Sequence, residues 1–344
     1  MADNGMGPQV SVLTPIYNTH VKYLRECIDS VLAQTFSDFE FIILDNASDA
    51  YVAELVASYD DPRIRYFRVD ENIGPAGGRN FCISHARGKY LAILDSDDVA
   101  LPERLADQVA FMDAHPSVGV LGTFSRTTDG REFFSDTLPT ASDAICRHLL
   151  FCGNMLCHSS VMIRADVLRD NKLEYDPNLF PAEDYALWLD LTGRTEFALL
   201  PRVLTLYRFF PTSVSQQNLT RQWRNAVRAQ LAAIGRNHNI DIDAVDDLAA
   251  LYAGDTSRAA NGIKALDNLV GRLNEQKLPG SMVYDMFRGQ FKHICYHTHS
   301  FGGLWRLMTC PAAGYYGQGI GWRAFCFITR GIFRNKSNVK KDKE

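Results

Sequence analysis

The chain has 344 residues, of which 46% are hydrophobic and 22% charged, with a formal net charge of −4. That length suits one large α/β domain with an appendage, or two domains, and the acidic balance excludes general nucleic-acid binding. No apolar stretch approaches the roughly 18 residues of a spanning helix, and the eight cysteines, with no CxxC pair and no signal-peptide pattern, read as reduced thiols in a cytoplasmic protein.

Residues 1–8 read as a loose leader. Val10–Thr14 is the first predicted strand, ended by Pro15. Asn18 or Thr19 caps a helix whose apolar face is Val21, Leu24, Ile28, Val31 and Leu32, at helical spacing. Phe39–Leu44 is a second buried strand that stops at Asp45-Asn46, and Asp49 caps the next helix, through Leu55, Val56 and Tyr59. Ile64–Val69 is a third strand. It leads through Asn72-Ile73-Gly74 into a short helix ending at Ala86, with Gly88 as its stop. Tyr90–Leu94 is a continuous apolar run of strand length, as expected of a parallel strand buried on both faces. A helix from Pro102 to about Ala114 and a strand over Val118–Gly122 follow. This alternation predicts βαβ crossovers and a mostly parallel sheet.

Beyond Gly122 the pattern is less regular. Ala144–Phe151 reads as helix, Ser159–Ile163 as strand, Glu183–Thr192 as helix with Trp188 on its apolar face, and Leu199–Tyr207 as strand interrupted by Pro201. Residues 217–291 read as helical. His293, Cys295, His297 and His299 invite a zinc reading, but spacing alone carries little weight and no protease motif accompanies them. The tail interleaves Trp322, Phe325, Phe327, Ile328, Ile332 and Phe333 with Arg323, Arg330 and Arg334. A helix there is basic and amphipathic, suited either to an anionic membrane surface or to packing on the protein.

The chemistry concentrates where predicted strands end. Tyr90–Leu94 stops at Asp95-Ser96-Asp97-Asp98, and three carboxylates at one strand end repel one another unless a cation neutralises them. Hard oxygen ligands suit Mg²⁺ or Mn²⁺. A capping turn before a helix is the plainer alternative. Open α/β sheets bind ligands beyond the carboxyl ends of their strands, and two other loops lie there, Pro15-Ile16-Tyr17-Asn18 and Asp45-Asn46. Together they read as a nucleotide site. Tyr17 stacks on a base, Asn46 hydrogen-bonds its edge, the acids hold a metal against phosphates, and Arg79 reaches a phosphate. Taken singly, Tyr17 is equally a core residue, Asn46 a turn residue and Arg79 a solvated charge.

Several stretches, in order and spacing, make the chain resemble the inverting family-2 glycosyltransferases of the GT-A fold. They are Val10–Asn18, Ser30–Phe36, Phe41–Asp49, Asn72-Ile73-Gly74 with Arg79-Asn80, Leu94–Asp98, His158–Met162, Glu183–Trp188 and Tyr207-Arg208. The likeness covers about residues 9–215. It implies an α/β fold of GT-A (Rossmann-like) type, a mostly parallel sheet flanked by helices, over residues 9–216. A helical extension then covers 217–300 and the basic aromatic tail 301–344. It also implies a metal-dependent hexosyltransferase-type enzyme that moves a sugar from a nucleotide-diphosphate donor, with inversion, to a hydroxyl of a glycan or lipid-linked acceptor in surface polysaccharide assembly. By the resemblance Pro15, Tyr17, Asp45 and Asn46 line the base and ribose site. Asp95 and Asp97 are the DxD acids for ribose and Mn²⁺ or Mg²⁺, and Asp98 is an additional ligand. Arg79 serves the phosphates, and Asp184 is the base.

Asn46 stands where many relatives carry a second Asp. An amide carbonyl accepts the N3–H of uracil or thymine and serves guanine less well, which favours UDP- or dTDP-sugars. Phe210 stands where many relatives carry His. A lipid-linked acceptor makes peripheral attachment to the inner membrane face sensible. Two rival readings remain, a sugar-phosphate nucleotidyltransferase, although Pro15–His20 lacks the expected glycines, and a catalytically silent subunit of a membrane glycan-assembly complex.

Overall fold

The computed structural model describes residues 7–130, 132–134, 138–210, 217–242, 244–252 and 258–275. The predicted basic tail and the His293–His299 cluster lie outside them, as does the end of the helical stretch predicted to residue 291. Contacts divide the chain into two units, one holding the residues to Leu149 and Asn154–Asn218, the other Leu150–Gly153 and the residues from Leu219.

The first unit is built on one mixed nine-stranded sheet. Its strands are β1 (Val10–Ile16), β2 (Phe39–Asn46), β3 (Ile64–Val69), β4 (Tyr90–Ile93), β5 (Val99–Ala100), β6 (Val118–Thr127), β7 (Glu132–Phe134), β8 (Met162–Arg164) and β9 (Glu196–Tyr207). They run in the order β3-β2-β1-β4-β8-β6-β9-β5, with β7 beside β6. The predicted parallel arrangement holds for β3-β2-β1-β4 and for β6 with β9. It fails at β8, which lies antiparallel between β4 and β6. Ser159 and Ser160, expected in that strand, form a single 3₁₀ turn with His158 instead.

The helices are α1 (Val21–Leu32), α2 (Ala50–Ala57), α3 (Gly74–His85), α4 (Arg104–Ala114), α5 (Ser142–Phe151), α6 (Ala165–Asn171) and α7 (Glu183–Leu191). α1 buries Leu24, Cys27, Ile28 and Val31, one stripe at helical spacing. Val21 is exposed, so the predicted face starts one turn late. The predicted caps also shift. His20 caps α1, its ring accepting from the Lys22 N–H. Asn18 adopts positive φ, accepts from the Asp49 N–H at 2.8 Å and so ties two loops together.

Pro15 does not end β1. The Leu13 carbonyl accepts from Leu94 N–H on the β4 side, and pairing with β4 stops at Leu13. Alternation puts the missing donor of Pro15 on that same side, beyond the last β4 partner, where no ladder bond is lost. Pro201 is accommodated differently. Thr123 pairs with Leu200 and Phe124 with Val203, so Pro201 and Arg202 form a bulge in β9.

Gly88 is not a left-handed helix stop. Its role is steric, because an added Cβ would lie 2.5 Å from the Ser11 nitrogen and 2.7 Å from the Val10 carbonyl carbon. Backbone cannot yield as a side chain can. Gly88→Ala should therefore cost about 1–3 kcal/mol, read as a lower denaturation midpoint with an unchanged m-value.

The second unit contains helices over Leu219–His238, Val245–Tyr252 and Ala259–Glu275 among its described residues. The first buries Val227, Leu231 and Ile234, spaced four and three apart. Arg228 pairs with Asp246 at 2.7 Å.

Candidate active site

The parallel strands β1, β2 and β4 end on the same edge of the sheet, and their loops are tied to one another. Thr19 Oγ1 lies 2.5 Å from Ser96 Oγ, and the Asn18 N–H donates to Ser48 Oγ at 3.0 Å. The β1 loop thus bridges the β2 and β4 loops. Tyr17 projects from it with 55% of its surface exposed, which rules out the core reading and leaves a ring face available.

Asp45 and Asn46 belong to β2 itself, and both are buried. Asp45 accepts from the Ser48 N–H at 2.7 Å, from the Tyr66 hydroxyl at 2.7 Å and from Arg68. Burial alone would raise its carboxyl, but these donors outweigh it and hold the group below the usual range. Asn46 Oδ1 accepts from the Ile73 N–H at 2.9 Å, while its Nδ2 donates to Asn72 Oδ1 and to the Gly74 carbonyl. The carbonyl expected to meet a uracil edge thus already accepts one bond from the protein, with a second lone pair left over. The side chain fastens the start of α3 to β2. Pro15 is next to it, and a Cβ on Gly78 would sit 3.0 Å from the Pro15 Cβ. The glycine run of α3 thus lets that helix approach the end of β1.

Arg79, on α3, does not project as a free cation. One terminal nitrogen donates to Asp95 Oδ1 at 3.0 Å and the other to Glu183 Oε1 at 2.7 Å. Its plane lies near the Tyr175 ring, 5.6 Å from the centroid. Asp95 also faces His158, whose Nδ1 is 3.6 Å from Oδ2 and whose Nε2 is 2.9 Å from the Tyr175 hydroxyl. Burial would raise Asp95, but Arg79 and His158 prevail and hold it well below the carboxylate range.

The next two acids behave oppositely. Burial and the charge of Asp95 push Asp97 up to about 6. Burial, Asp97 and Asp95 push Asp98 up as well. Asp98 is fully buried and accepts from the Arg208 backbone N–H at 2.7 Å. It braces the turn from beneath through that oxygen, while its other oxygen is buried without a hydrogen-bond partner. Asp95 and Asp97 remain partly exposed. Among the described residues no three His, Cys, Asp or Glu side chains are arranged as a metal cage. Two accessible carboxylates nevertheless match Mg²⁺ or Mn²⁺, which take one or two from protein and complete their shell from phosphates and water.

Arg208 is a contributor that the sequence did not assign. Its Nε donates to the Asp97 carbonyl at 2.7 Å, one terminal nitrogen to Glu26 at 2.5 Å, and its plane covers Tyr23 at 4.1 Å. The first residue after β9 thus clasps the acid turn to α1. Phe210 packs on the same Tyr23 ring, 5.2 Å away.

Glu183 and Asp184 open α7 and diverge, as adjacent residues on a helix must. Glu183 is buried against Arg79, and its second oxygen has no hydrogen-bond partner. Burial raises its carboxyl, with Arg79 opposing. Asp184 is partly exposed and accepts from Asn154 Nδ2 at 3.1 Å. Nothing in the sequence signals Asn154. Behind the pair, Tyr185 and Trp188 are buried and anchor the helix, with the Tyr185 hydroxyl donating to the Leu149 carbonyl at 2.5 Å.

An exposed aromatic, a partly exposed acid pair at the end of a central strand and a carboxylate at a nearby helix start are laid out for a charged, ring-bearing ligand. The "Glycosyl transferase family 2" profile matches residues 11–170. An uncharacterized glycosyltransferase of Methanocaldococcus jannaschii is 33% identical over 210 residues, 58% of this chain and 71% of that protein. The chain belongs to glycosyltransferase family 2. Among solved structures, residues 1–349 of S. aureus TarS in complex with UDP-GlcNAc superpose with a TM-score of 0.61 at 19% identity, covering 84% of this chain and 90% of that one. A mannosyltransferase of Pyrobaculum calidifontis, in complex with GDP-Man and Mn²⁺, superposes at 0.54 and 16% identity, covering 85% and 87%. These likenesses show that the fold is GT-A.

Proposed function

We propose that the chain transfers a sugar from a nucleotide-diphosphate donor to a hydroxyl of a glycan or lipid-linked acceptor, with inversion at the anomeric carbon. The observation that carries this is the division between the two carboxylates of α7. Glu183 is paired with Arg79, which also holds the acid turn through Asp95, and the adjacent Asp184 is left partly open. A carboxylate so placed accepts the proton of an incoming hydroxyl as it attacks. One base acting on the face opposite the leaving group gives inversion in a single displacement.

The donor side is supported by the Tyr17 ring and the Asp95–Asp97 pair. Asp97 and Asp95 are the residues that would hold a divalent cation, which when bound would supply positive charge toward the departing diphosphate. UDP- or dTDP-sugars are the favoured donors. TarS, whose crystals hold UDP-GlcNAc, supports this choice, whereas the Asn46 carbonyl, already engaged by Ile73, lends it less than the sequence promised. No helix among the described residues is long and apolar enough to cross a membrane. A cytoplasmic enzyme attached peripherally through its basic tail, at work in surface polysaccharide assembly, rests on the family likeness and the tail sequence.

Nucleotide release from a panel of UDP-, dTDP- and GDP-sugars, with and without lipid-linked and glycan acceptors, tests the reaction. Acceptor-stimulated release from one donor is expected. Pyrophosphate-dependent nucleotide triphosphate formation would point to the nucleotidyltransferase reading, and no release from any donor to the silent subunit. Tyr17→Ala should weaken nucleotide binding by about 1–3 kcal/mol, the usual worth of stacking a base on an aromatic ring. With the ring so exposed, the melting temperature should hardly move.

A further inference from the structure

Glu183 is one half of the acidic first turn of α7, a routine place for a solvated carboxylate. Its surroundings do not fit that role. The carboxylate is 5% exposed and reaches across to Arg79, 104 residues earlier in the chain. Arg79 holds Asp95 with its other terminal nitrogen. A single guanidinium therefore joins the acid turn after β4 to the first turn of α7.

Other groups fix this bridge on every side. Tyr175 faces the Arg79 plane. The Tyr175 backbone is gripped by the neighbouring Asn80, which accepts from its N–H at 2.9 Å and donates to its carbonyl at 2.8 Å. Tyr175 also meets His158, which faces Asp95 from the other side. The Asp95 N–H donates to Ser159 Oγ at 3.1 Å. Asp95 is thus hydrogen-bonded through one carboxylate oxygen and its backbone, with the His158 ring 3.6 Å from the other oxygen, and the side-chain hold depends on where Arg79 points.

We infer that Glu183 is a positioning residue for the donor site, acting through Arg79 to orient Asp95. The inference rests on the reading of Asp95 as a donor-side acid. With Glu183 charged, Arg79 is stretched between two carboxylates in a fixed fork, and one face of Asp95 is presented at a defined angle. Without that charge the guanidinium is free to collapse onto Asp95 as a two-pronged pair, which is the geometry Arg prefers with a single carboxylate. Asp95 is then turned and its charge is consumed by the protein.

The test is a double-substitution cycle read by calorimetric titration of UDP, dTDP and GDP in the presence of Mn²⁺. Glu183→Gln is expected to weaken the preferred nucleotide about tenfold, as loss of one partner of a buried ion pair does. In an Arg79→Gln background the same Glu183 change is expected to move the dissociation constant less than about twofold, because its route of action is gone. Glu183→Asp, which keeps the charge, should bind more tightly than Glu183→Gln, and it carries the test if the Gln variant does not fold. Unchanged nucleotide binding in Glu183→Gln overturns the inference. So does an equal loss in both backgrounds, the pattern of a purely structural helix start, and so does a Glu183→Asp variant as weak as Gln. If the unsubstituted chain binds none of the three nucleotides, the donor-site reading itself falls and the coupling with it.

Discussion

Asp184→Asn is expected to lower kcat by roughly 10²- to 10⁴-fold, the usual share of a general base, while donor affinity stays as it was. The substitution keeps shape and volume and removes only basicity. Asp184 is held by a helix whose next turn is locked in the core by Tyr185 and Trp188, so the carboxylate keeps its place. Its hydrogen-bond partner among the described residues, Asn154, donates from a side-chain amide and can do the same to an amide oxygen. The donor contacts lie on other loops. Turnover and nucleotide affinity, measured on the same preparation, separate this residue from its neighbour. Asp184→Asn should lose rate without losing nucleotide, and Glu183→Gln should lose nucleotide. If Asp184→Asn turns over normally while Glu183→Gln is inactive with unchanged nucleotide affinity, Glu183 is the base.

The second large effect is expected at Asp97. Asp97→Asn should abolish metal-stimulated turnover and, in EDTA, make the protein more stable at neutral pH. The sign follows from the direction of the shift. Burial and Asp95 raise the Asp97 carboxyl to about 6, above its unfolded value near 3.9. The folded protein therefore favours the protonated acid, and a penalty builds as pH rises from about 4 to about 6. At pH 7 the charged form costs on the order of 3 kcal/mol, and neutralising it should raise Tm by a few degrees. Below about pH 4 the two proteins should melt alike. Adding Mn²⁺ should stabilise the unsubstituted chain and not the variant. Full activity in EDTA, or a variant that melts lower at pH 7, would contradict the role given to this acid.

Local pattern carried the fold as far as local physics reaches. β3 and α5 fall within two residues of where pattern puts them, α5 because it buries a helical stripe of Ile145, Leu149 and Leu150 and β3 although its residues are only partly buried. β8 was started three residues early and placed in a parallel context, since three residues do not announce their direction. The end of β2 was missed because Asp45 and Asn46 read as loop polar groups. Only the structure supplies Tyr66, Arg68 and Ile73, the partners that allow them to be buried in a strand. The same limit applies to the site. Motif order put Tyr17, Asp95 and Asp97 after strands that end on one edge of the sheet, and Asp184 at the start of a helix whose Glu183 reaches Arg79. It could not reveal that Arg79 is spent between two carboxylates, that Asp98 lies under the turn, or that Arg208 holds that turn from 110 residues away. Those are pairings between distant segments, and no spacing in the chain encodes them.

The most direct measurement is a crystal structure of the chain with its preferred nucleotide diphosphate and Mn²⁺. The base is expected against the Tyr17 ring, the ribose beside Asp95, the cation on Asp97, and Asp184 open toward the space beyond the terminal phosphate. Asp98 should remain buried on the Arg208 N–H. A nucleotide bound away from the β1 and β4 loops, or a terminal phosphate that points away from Asp184, would contradict the assignment of this edge of the sheet as the transferase site.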